Sequence, residues 1–554
     1  MQKINVEFDV PVLMRDGTIL RANVSTPAGD GPYPVLVERT PYDKNAPLAM
    51  GFEVLDAARA GYIVVRLDTR GSGSSDGEWL PWKYEREDGY DTVEWASSLP
   101  KSNGKVGMFG GSYNGSTQWS SAIARAPGLA AIAPMVTWAD PEDGLLFRGG
   151  ATELGINAFW SIGMALSHFH KVYPPDEASA KAKAAFPHYA GLNESIWALP
   201  SAAQPYFVEL GMPDLGVARA FEDRSTTDDS RVAGRYDQII VPSLNFAGWY
   251  DVFQQGALDN YSAMRARGVV TRLIVGPWMH TSTISAVSKG EVGEVNFGPL
   301  SLMPGGEPIS KLHFDWYDHW LKGSPATSAH ASGVLIFVMG AHEWRAEPDW
   351  PLARAITTPL YLAPDSTLRW ELPEQEGGES KYVYDPANPV ITRGGNLFMD
   401  ADYPAGPFDQ REVEGRDDVL VFTTEAFEGN TEITGRIRAT LSAVTDGPST
   451  DWVVRLCEVD NAGVSRNIVD GITRVHSEPG RVDEVSIDLW STSILIKAGH
   501  RLRVHVTSSN FPRWDRNLNT GEREDRGVAM RVAKQRILHD SRHPSRVDLP
   551  ISPG

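Results

Sequence analysis

The segment richest in chemistry is Lys105–Gly115, KVGMFGGSYNG. Lys105–Phe109 reads as a short strand, Gly110 and Gly111 as a tight turn, and Ser116–Ala126 as a helix. Ser112 stands at the strand-to-helix turn. A serine there presents its hydroxyl at the sheet edge. The helix N-terminus favours developing negative charge, and the next backbone N–H can face a substrate carbonyl oxygen. This is the local context of a nucleophile elbow. The commonest form, G-x-S-x-G, wants glycine at 114; this chain has Asn114, and Gly115 follows. A plain glycine-rich loop carries the same residues, so the reading needs a base and an acid as well.

Both appear later in the chain, in the order acid then histidine that serine hydrolases of α/β type use. Gln238–Leu244 reads as a strand that leads to Asp251, and Arg272–Val275 as the next strand, leading to His280. Two consecutive strand-end loops then supply the acid and the base, 29 residues apart. Ligands bind at such strand ends in open α/β sheets. The other histidines are weaker candidates. His168 and His170 sit two apart on a predicted helix and point away from each other; His313 and His319 belong to a later amphipathic helix. Asp68, Asp88 and Asp91 precede Ser112 and fit the chain order badly. Gly71–Gly77 resembles a dinucleotide fingerprint but has Asp76 where the third glycine is needed, and no phosphate-binding G-x-x-x-x-G-K-[ST] loop occurs.

The elements that must hold these residues follow from periodicity. Tyr33–Glu38 and Tyr62–Leu67 are nearly continuous apolar runs, as in strands buried on both faces of a parallel sheet. Leu48–Ala60 and Asp88–Leu99 between them have helical spacing. Strand–helix alternation predicts an α/β core in residues 1–138 and 241–325. Residues 139–240 carry Ala-rich helical segments (156–168, 177–185) and read as a helical insertion; helix 309–321 closes the core. Gly323–Gly333 is small and turn-prone, a natural boundary. Residues 326–554 then show strand-length runs without a fixed repeat, the signature of a jelly-roll β-sandwich. Pro359 restricts its run to an edge.

The 52 basic and 71 acidic residues give a formal charge of −19. That balance disfavours nucleic acid and anionic lipid as partners. One cysteine, Cys457, forms no intramolecular disulfide and no zinc framework; it reads as a buried, inert thiol. No basic-then-apolar leader opens the sequence and no apolar run reaches 18 residues. The expectation is a cytoplasmic protein without membrane spans, metal or cofactor, and a homodimer is left open.

Five ordered motifs resemble the cocaine esterase and X-prolyl dipeptidyl peptidase group of serine hydrolases. They are RTPYDK (39–44), DTRGSGSSDGEW (68–79), GGSYNGSTQW (110–119), GWYD (248–251) and GPWMH (276–280). DWVVRL (451–456) and residues 499–517 extend the resemblance into the C-terminal part. In that family the elbow is G-x-S-Y-x-G, which places Gly115 where the pattern wants it. The resemblance implies an α/β-hydrolase core, a cap inserted after the nucleophile and a C-terminal jelly roll. It implies that Tyr42 supplies a phenolic donor to an oxyanion hole beside the backbone N–H of Tyr113. Relatives acting on α-amino acid esters carry acidic residues two and three positions after the triad aspartate; here those are Phe253 and Gln254. Phe253, Trp160, Phe159 and Phe398 are then expected to bind substrate through an acyl pocket, although each also reads as core packing.

The expected function is hydrolysis of small-molecule carboxylic esters, or amides, with a bulky or aromatic acyl group, by Ser112, His280 and Asp251 through an acyl-enzyme. The alternatives are an X-prolyl dipeptidyl peptidase or β-lactam/amino-acid acylase, and, from another class, a catalytically degenerate carbohydrate-binding protein. The peptidases usually carry an extra N-terminal domain, for which Met1–Val12 leaves no space.

Overall fold

The structure is a computed structural model that describes residues 3–553 except 47–50, 202–203, 205–206, 208–216, 282–289, 326–332 and 375. Its first sheet begins with β1 (Ile4–Leu13), β2 (Ile19–Pro27), β3 (Tyr33–Thr40), β4 (Ile63–Asp68), β5 (Ser102–Gly111) and β6 (Leu129–Met135). A two-residue hairpin, β7 (Phe147–Arg148) and β8 (Ala151–Thr152), precedes β9 (Ser243–Tyr250) and β10 (Thr271–Met279). A second such hairpin, β11 (Glu291–Val292) and β12 (Val295–Asn296), precedes β13 (Gly333–Val338) and β14 (Glu343–Glu347). The sheet order is β1-β2-β4-β3-β5-β6-β9-β10-β13-β14. From β3 to β13 neighbouring strands run parallel, with β1, β2 and β14 antiparallel at the edges. Every residue of β4 and of β9 is buried, because helices and the C-terminal part cover both faces.

The chain steps from β3 to β4 on one side, then returns to place β5 on the other side of β3. This reversal opens a crevice at the carboxyl ends of β3 and β5, where ligands bind in doubly wound sheets. Tyr42 follows β3 and Ser112 follows β5 directly.

Several boundaries differ from the sequence expectation. The strand expected at 238–244 begins at Ser243, after Pro242, whose missing N–H cannot join a ladder. The expected helix 48–60 is Val54–Arg59, with 47–50 outside the described residues. Val334–Met339, expected in the C-terminal sandwich, supplies β13, which pairs with β10, so the first sheet continues beyond residue 325. The turn-prone stretch before it therefore joins elements of the first part of the chain, and its residues 326–332 lie outside the described residues.

Between β8 and β9 lie helices α4 (Leu154–Val172) and α5 (Pro175–Ala190), which share an apolar core with Phe511 of the C-terminal part. The C-terminal residues form two antiparallel sheets, one centred on Thr431–Thr445 and one on Ser449–Val459. Ile433 and Leu441 of the first and Val454 and Leu456 of the second meet in one core. That core is continuous with Leu273 and Ile336 of the first sheet. Pro359 lies in strand Ile356–Leu362, one place in from the edge; the outer strand is two residues long and pairs only with Tyr361 and Leu362. Cys457 is fully buried, and burial pushes its thiol up to about 12. Among the described residues no helix is long and apolar enough to cross a membrane, and no group of three His, Cys, Asp or Glu side chains could hold a metal ion.

Candidate active site

Ser112 sits between β5 and helix α3 (Tyr113–Ile123) with φ 59° and ψ −126°. A non-glycine residue at positive φ is strained by about 1–3 kcal/mol, and such strain persists only where neighbours enforce it. They do so here. The Ser112 N–H donates to Met135 O (2.9 Å) and Ser112 O accepts the Gly115 N–H (3.0 Å). Gly110 has φ 118°, and a Cβ there would lie 2.7 Å from the Asn114 Cβ. A Cβ on Gly115 would lie 2.9 Å from the Thr137 Cβ and 3.0 Å from Met135 O, so close packing of α3 on the sheet requires glycine at 115. Position 114 tolerates a side chain because the buried Asn114 donates to Glu38 Oε1 (2.9 Å), itself buried and paired with Arg66 (2.6 Å).

The structure brings three distant residues together. His280, the first residue after β10, has Nε2 3.1 Å from Ser112 Oγ and Nδ1 2.7 Å from Asp251 Oδ2. Asp251, the first residue after β9, is fully buried, and its Oδ1 accepts the Phe253 N–H at 2.7 Å. The two bonds to the imidazole are mutually consistent: Nδ1–H donates to the carboxylate, which leaves Nε2 free to accept from the serine hydroxyl.

Tyr42 stands across the crevice. Burial raises its phenol above the ordinary value, opposed by its hydrogen bonding with the Trp160 indole, Ser112 and the Tyr113 N–H. It therefore stays protonated at neutral pH, with its oxygen beside both Ser112 and the Tyr113 N–H. Trp160 Nε1 donates to it at 3.3 Å. The Tyr113 side chain is fixed independently: its hydroxyl donates to Glu85 Oε1 (2.7 Å) and accepts the Trp82 N–H (2.9 Å), and Arg39 pairs with Glu85 at 3.0 Å.

A narrow cavity opens on Ser112 and His280. Trp160, Phe253 and Phe398 line it, together with Tyr42 and Tyr113. Phe159 does not; it faces a neighbouring outer cavity and stacks on Tyr189. The side of α4 that faces the inner cavity is Ile156, Asn157 and Trp160, and residue 159 points elsewhere by helical geometry.

Sequence reasoning missed Trp82, Trp138 and Leu145, which complete the apolar wall. It also missed Asn396, whose Nδ2 donates to Trp249 O (2.8 Å) and Asp251 O (3.2 Å) and braces the acid loop from the C-terminal part. His313 packs flat on Phe246 with its Nδ1–H donating to Ile309 O, and takes no part in the site.

Residues 16–282 match the X-Pro dipeptidyl-peptidase (S15 family) domain, and residues 329–548 match the X-Pro dipeptidyl-peptidase C-terminal non-catalytic domain. The chain is 35% identical to the cocaine esterase of Rhodococcus sp. (strain MB1 Bresler), across 99% of this chain and 98% of that protein. Among solved structures, an aminopeptidase from a marine sediment Thaumarchaeota archaeon superposes with TM-score 0.78 at 24% identity, covering 99% of this chain and 97% of the other. An α-amino acid ester hydrolase superposes with TM-score 0.77 at 24% identity, with the same coverage.

Proposed function

The chain belongs to the cocaine esterase and X-prolyl dipeptidyl peptidase family of serine hydrolases, and on that premise we propose that it cleaves carboxylic esters with a bulky or aromatic acyl group, using Ser112, His280 and Asp251. The observation that carries this reading is the pair of hydrogen bonds at 3.1 and 2.7 Å linking serine, imidazole and carboxylate.

In the first step Ser112 Oγ attacks the ester carbonyl carbon while its proton passes to His280 Nε2. Asp251 holds the imidazole in the tautomer that can accept that proton and stabilises the imidazolium. The carbonyl oxygen becomes an oxyanion held by the Tyr42 O–H and the Tyr113 N–H. Collapse expels the alcohol oxygen, which takes the proton from His280, and leaves an ester on Ser112. Water then attacks that ester, giving its proton to His280, and the proton returns to Ser112 as the carboxylic acid leaves. The residues 139–240 act in this reading as a cap over the cavity, with Trp160 forming part of its wall.

The aromatic inner cavity supports an aryl acyl group. The uncharged Phe253 and Gln254, and the lack of any acidic residue among those lining that cavity, speak against an acyl-side ammonium. Cytoplasmic residence and a homodimeric state belong to the same reading and are open to cell fractionation and sedimentation. The test of function is a panel of p-nitrophenyl benzoate, p-nitrophenyl acetate and Gly-Pro-p-nitroanilide. The account expects fastest turnover of the benzoate and its loss in Ser112→Ala. Preference for the anilide would favour the peptidase, and no turnover with an unreactive Ser112 would favour a binding protein.

A further inference from the structure

Outside the reacting groups, the described residues lining the inner cavity are aromatic or aliphatic with one exception, Asn157. It is 6% exposed, and its amide has a fixed orientation. Nδ2 donates to Leu145 O (2.9 Å) and to Glu153 O (2.7 Å). Two carbonyl oxygens can be met only by the nitrogen of a carboxamide, so the oxygen must face away from them. Asn157 Oδ1 accepts no hydrogen bond among the described residues, and it is not sealed off by protein. It stands as an unused acceptor on the wall of an otherwise apolar cavity.

Such an acceptor is satisfied while water reaches it. An acyl group that fills a narrow cavity displaces that water, and the amide oxygen then goes unpaired unless the acyl group brings a donor. The donor must be neutral. No carboxylate lines the inner cavity to pair with an ammonium, and one amide oxygen does not offset the desolvation of a charge. Position adds a second constraint. Asn157 lies one turn before Trp160 on the same face of α4, about 4.5 Å along the helix axis. Trp160 reaches Tyr42, at the oxyanion end of the cavity. The substrate carbonyl occupies that end, so the group that meets Asn157 is a substituent further along the acyl portion. On an aryl ring, a hydroxyl ortho to the carbonyl bonds to its own carbonyl oxygen, whereas a meta or para hydroxyl is free to donate outward.

We propose that Asn157 is a specificity residue for the acyl group, and that the inner cavity takes aryl acids carrying a neutral hydrogen-bond donor on the ring, a phenolic hydroxyl at the meta or para position, held by Asn157 Oδ1. The inference rests on the esterase reading above and adds the substrate class of its acyl side.

The test measures kcat/KM for the p-nitrophenyl esters of 3-hydroxybenzoate and 4-hydroxybenzoate against those of 3-fluorobenzoate and 4-fluorobenzoate, which fill similar space without donating. At about pH 6.5 the phenols are neutral. Dividing each value by the imidazole-catalysed rate of the same ester removes differences in intrinsic reactivity. In wild type one hydroxy ester should exceed its fluoro partner by about 10-fold, the order of one buried hydrogen bond made against one left unmade. In Asn157→Leu the same pair should come within about twofold, and any general loss of rate cancels in the ratio. Wild-type ratios near one for both pairs, or a ratio unchanged in Asn157→Leu, overturns the proposal while leaving the esterase standing. A second arm needs neither turnover nor a variant at 157. A crystal structure of Ser112→Ala protein soaked with 3-hydroxybenzamide or 4-hydroxybenzamide should place the hydroxyl of one of them within about 3.2 Å of Asn157 Oδ1. Hydroxyls placed elsewhere, or neither amide bound, overturn the proposal. If no ester of the set is cleaved, the esterase reading fails and the soaked crystals alone decide the site.

Discussion

Replacing Tyr42 with phenylalanine removes one hydroxyl from the cavity and little else. In the proposed reaction that hydroxyl is one of two donors to the oxyanion, the other being the Tyr113 N–H. Losing one such donor costs about 2.7–4 kcal/mol of transition-state stabilisation, a fall of about 10²–10³ in kcat. The structural cost is separate and smaller. The Trp160 indole reaches the phenol oxygen at 3.3 Å, and losing that acceptor amounts to about 0.5–1.5 kcal/mol of stability. The Tyr113 backbone N–H keeps its place because α3 and the Glu85 contact fix that residue. Release of p-nitrophenol from p-nitrophenyl benzoate at saturating substrate measures kcat, and a urea melt measures stability. Trp160→Phe is the control: it breaks the same hydrogen bond from the other end but leaves the phenolic donor, so its kcat should fall far less. A Tyr42→Phe enzyme with kcat within fivefold of wild type would refute the phenol's role as an oxyanion donor.

Asp251→Asn should fold and lower kcat by about 10⁴, because the amide stabilises the wrong imidazole tautomer; circular dichroism with steady-state kinetics checks both halves. Asn396→Ala removes the donor to Trp249 O and Asp251 O and should lower kcat about tenfold with KM nearly unchanged, since a small displacement of the acid loop is costly in rate; a matching fall in KM would contradict that role. His313 is buried, and burial lowers its imidazole to about 4. As pH falls below about 6.5 the unfolded chain takes up a proton that the folded one refuses until about 4. Stability is therefore lost across that window, by about 3 kcal/mol from this residue. Urea midpoints at pH 7.5 and 4.5 should converge in His313→Gln relative to wild type, and an unchanged difference would remove His313 as a cause.

The sheet was legible in sequence because parallel strands buried on both faces leave nearly unbroken apolar runs, as at 33–38 and 62–67. The positions of Ser112, Asp251 and His280 were legible because each is the residue next after a strand, and consecutive strand ends share one edge of the sheet. The family pattern already accommodated Asn114 in the elbow, and the structure supplies the physical reason, with its side chain turned toward Glu38 and Gly115 wedged against Thr137. Tyr42 and the aromatic wall came from family resemblance, since a tyrosine after a strand has no local signal that separates donor from packing residue. Phe159 fell outside the inner cavity because Ile156, Asn157 and Trp160 span one arc of the helix surface, and at about 100° per residue position 159 lies beyond that arc. Asn396 left no trace at all, because its significance depends on the C-terminal part folding back on the β9 loop, a contact spanning about 145 residues, and no short-range pattern encodes it.

The account stands most directly on the reactivity of one hydroxyl. Treatment with a fluorophosphonate, followed by peptide mass analysis, should place a single phosphonyl adduct on Ser112, and the labelling rate should fall by about 10³ or more in His280→Ala, since the neutral hydroxyl is a poor nucleophile without its base. An adduct on another residue, or Ser112 labelled at the wild-type rate without the histidine, would contradict it.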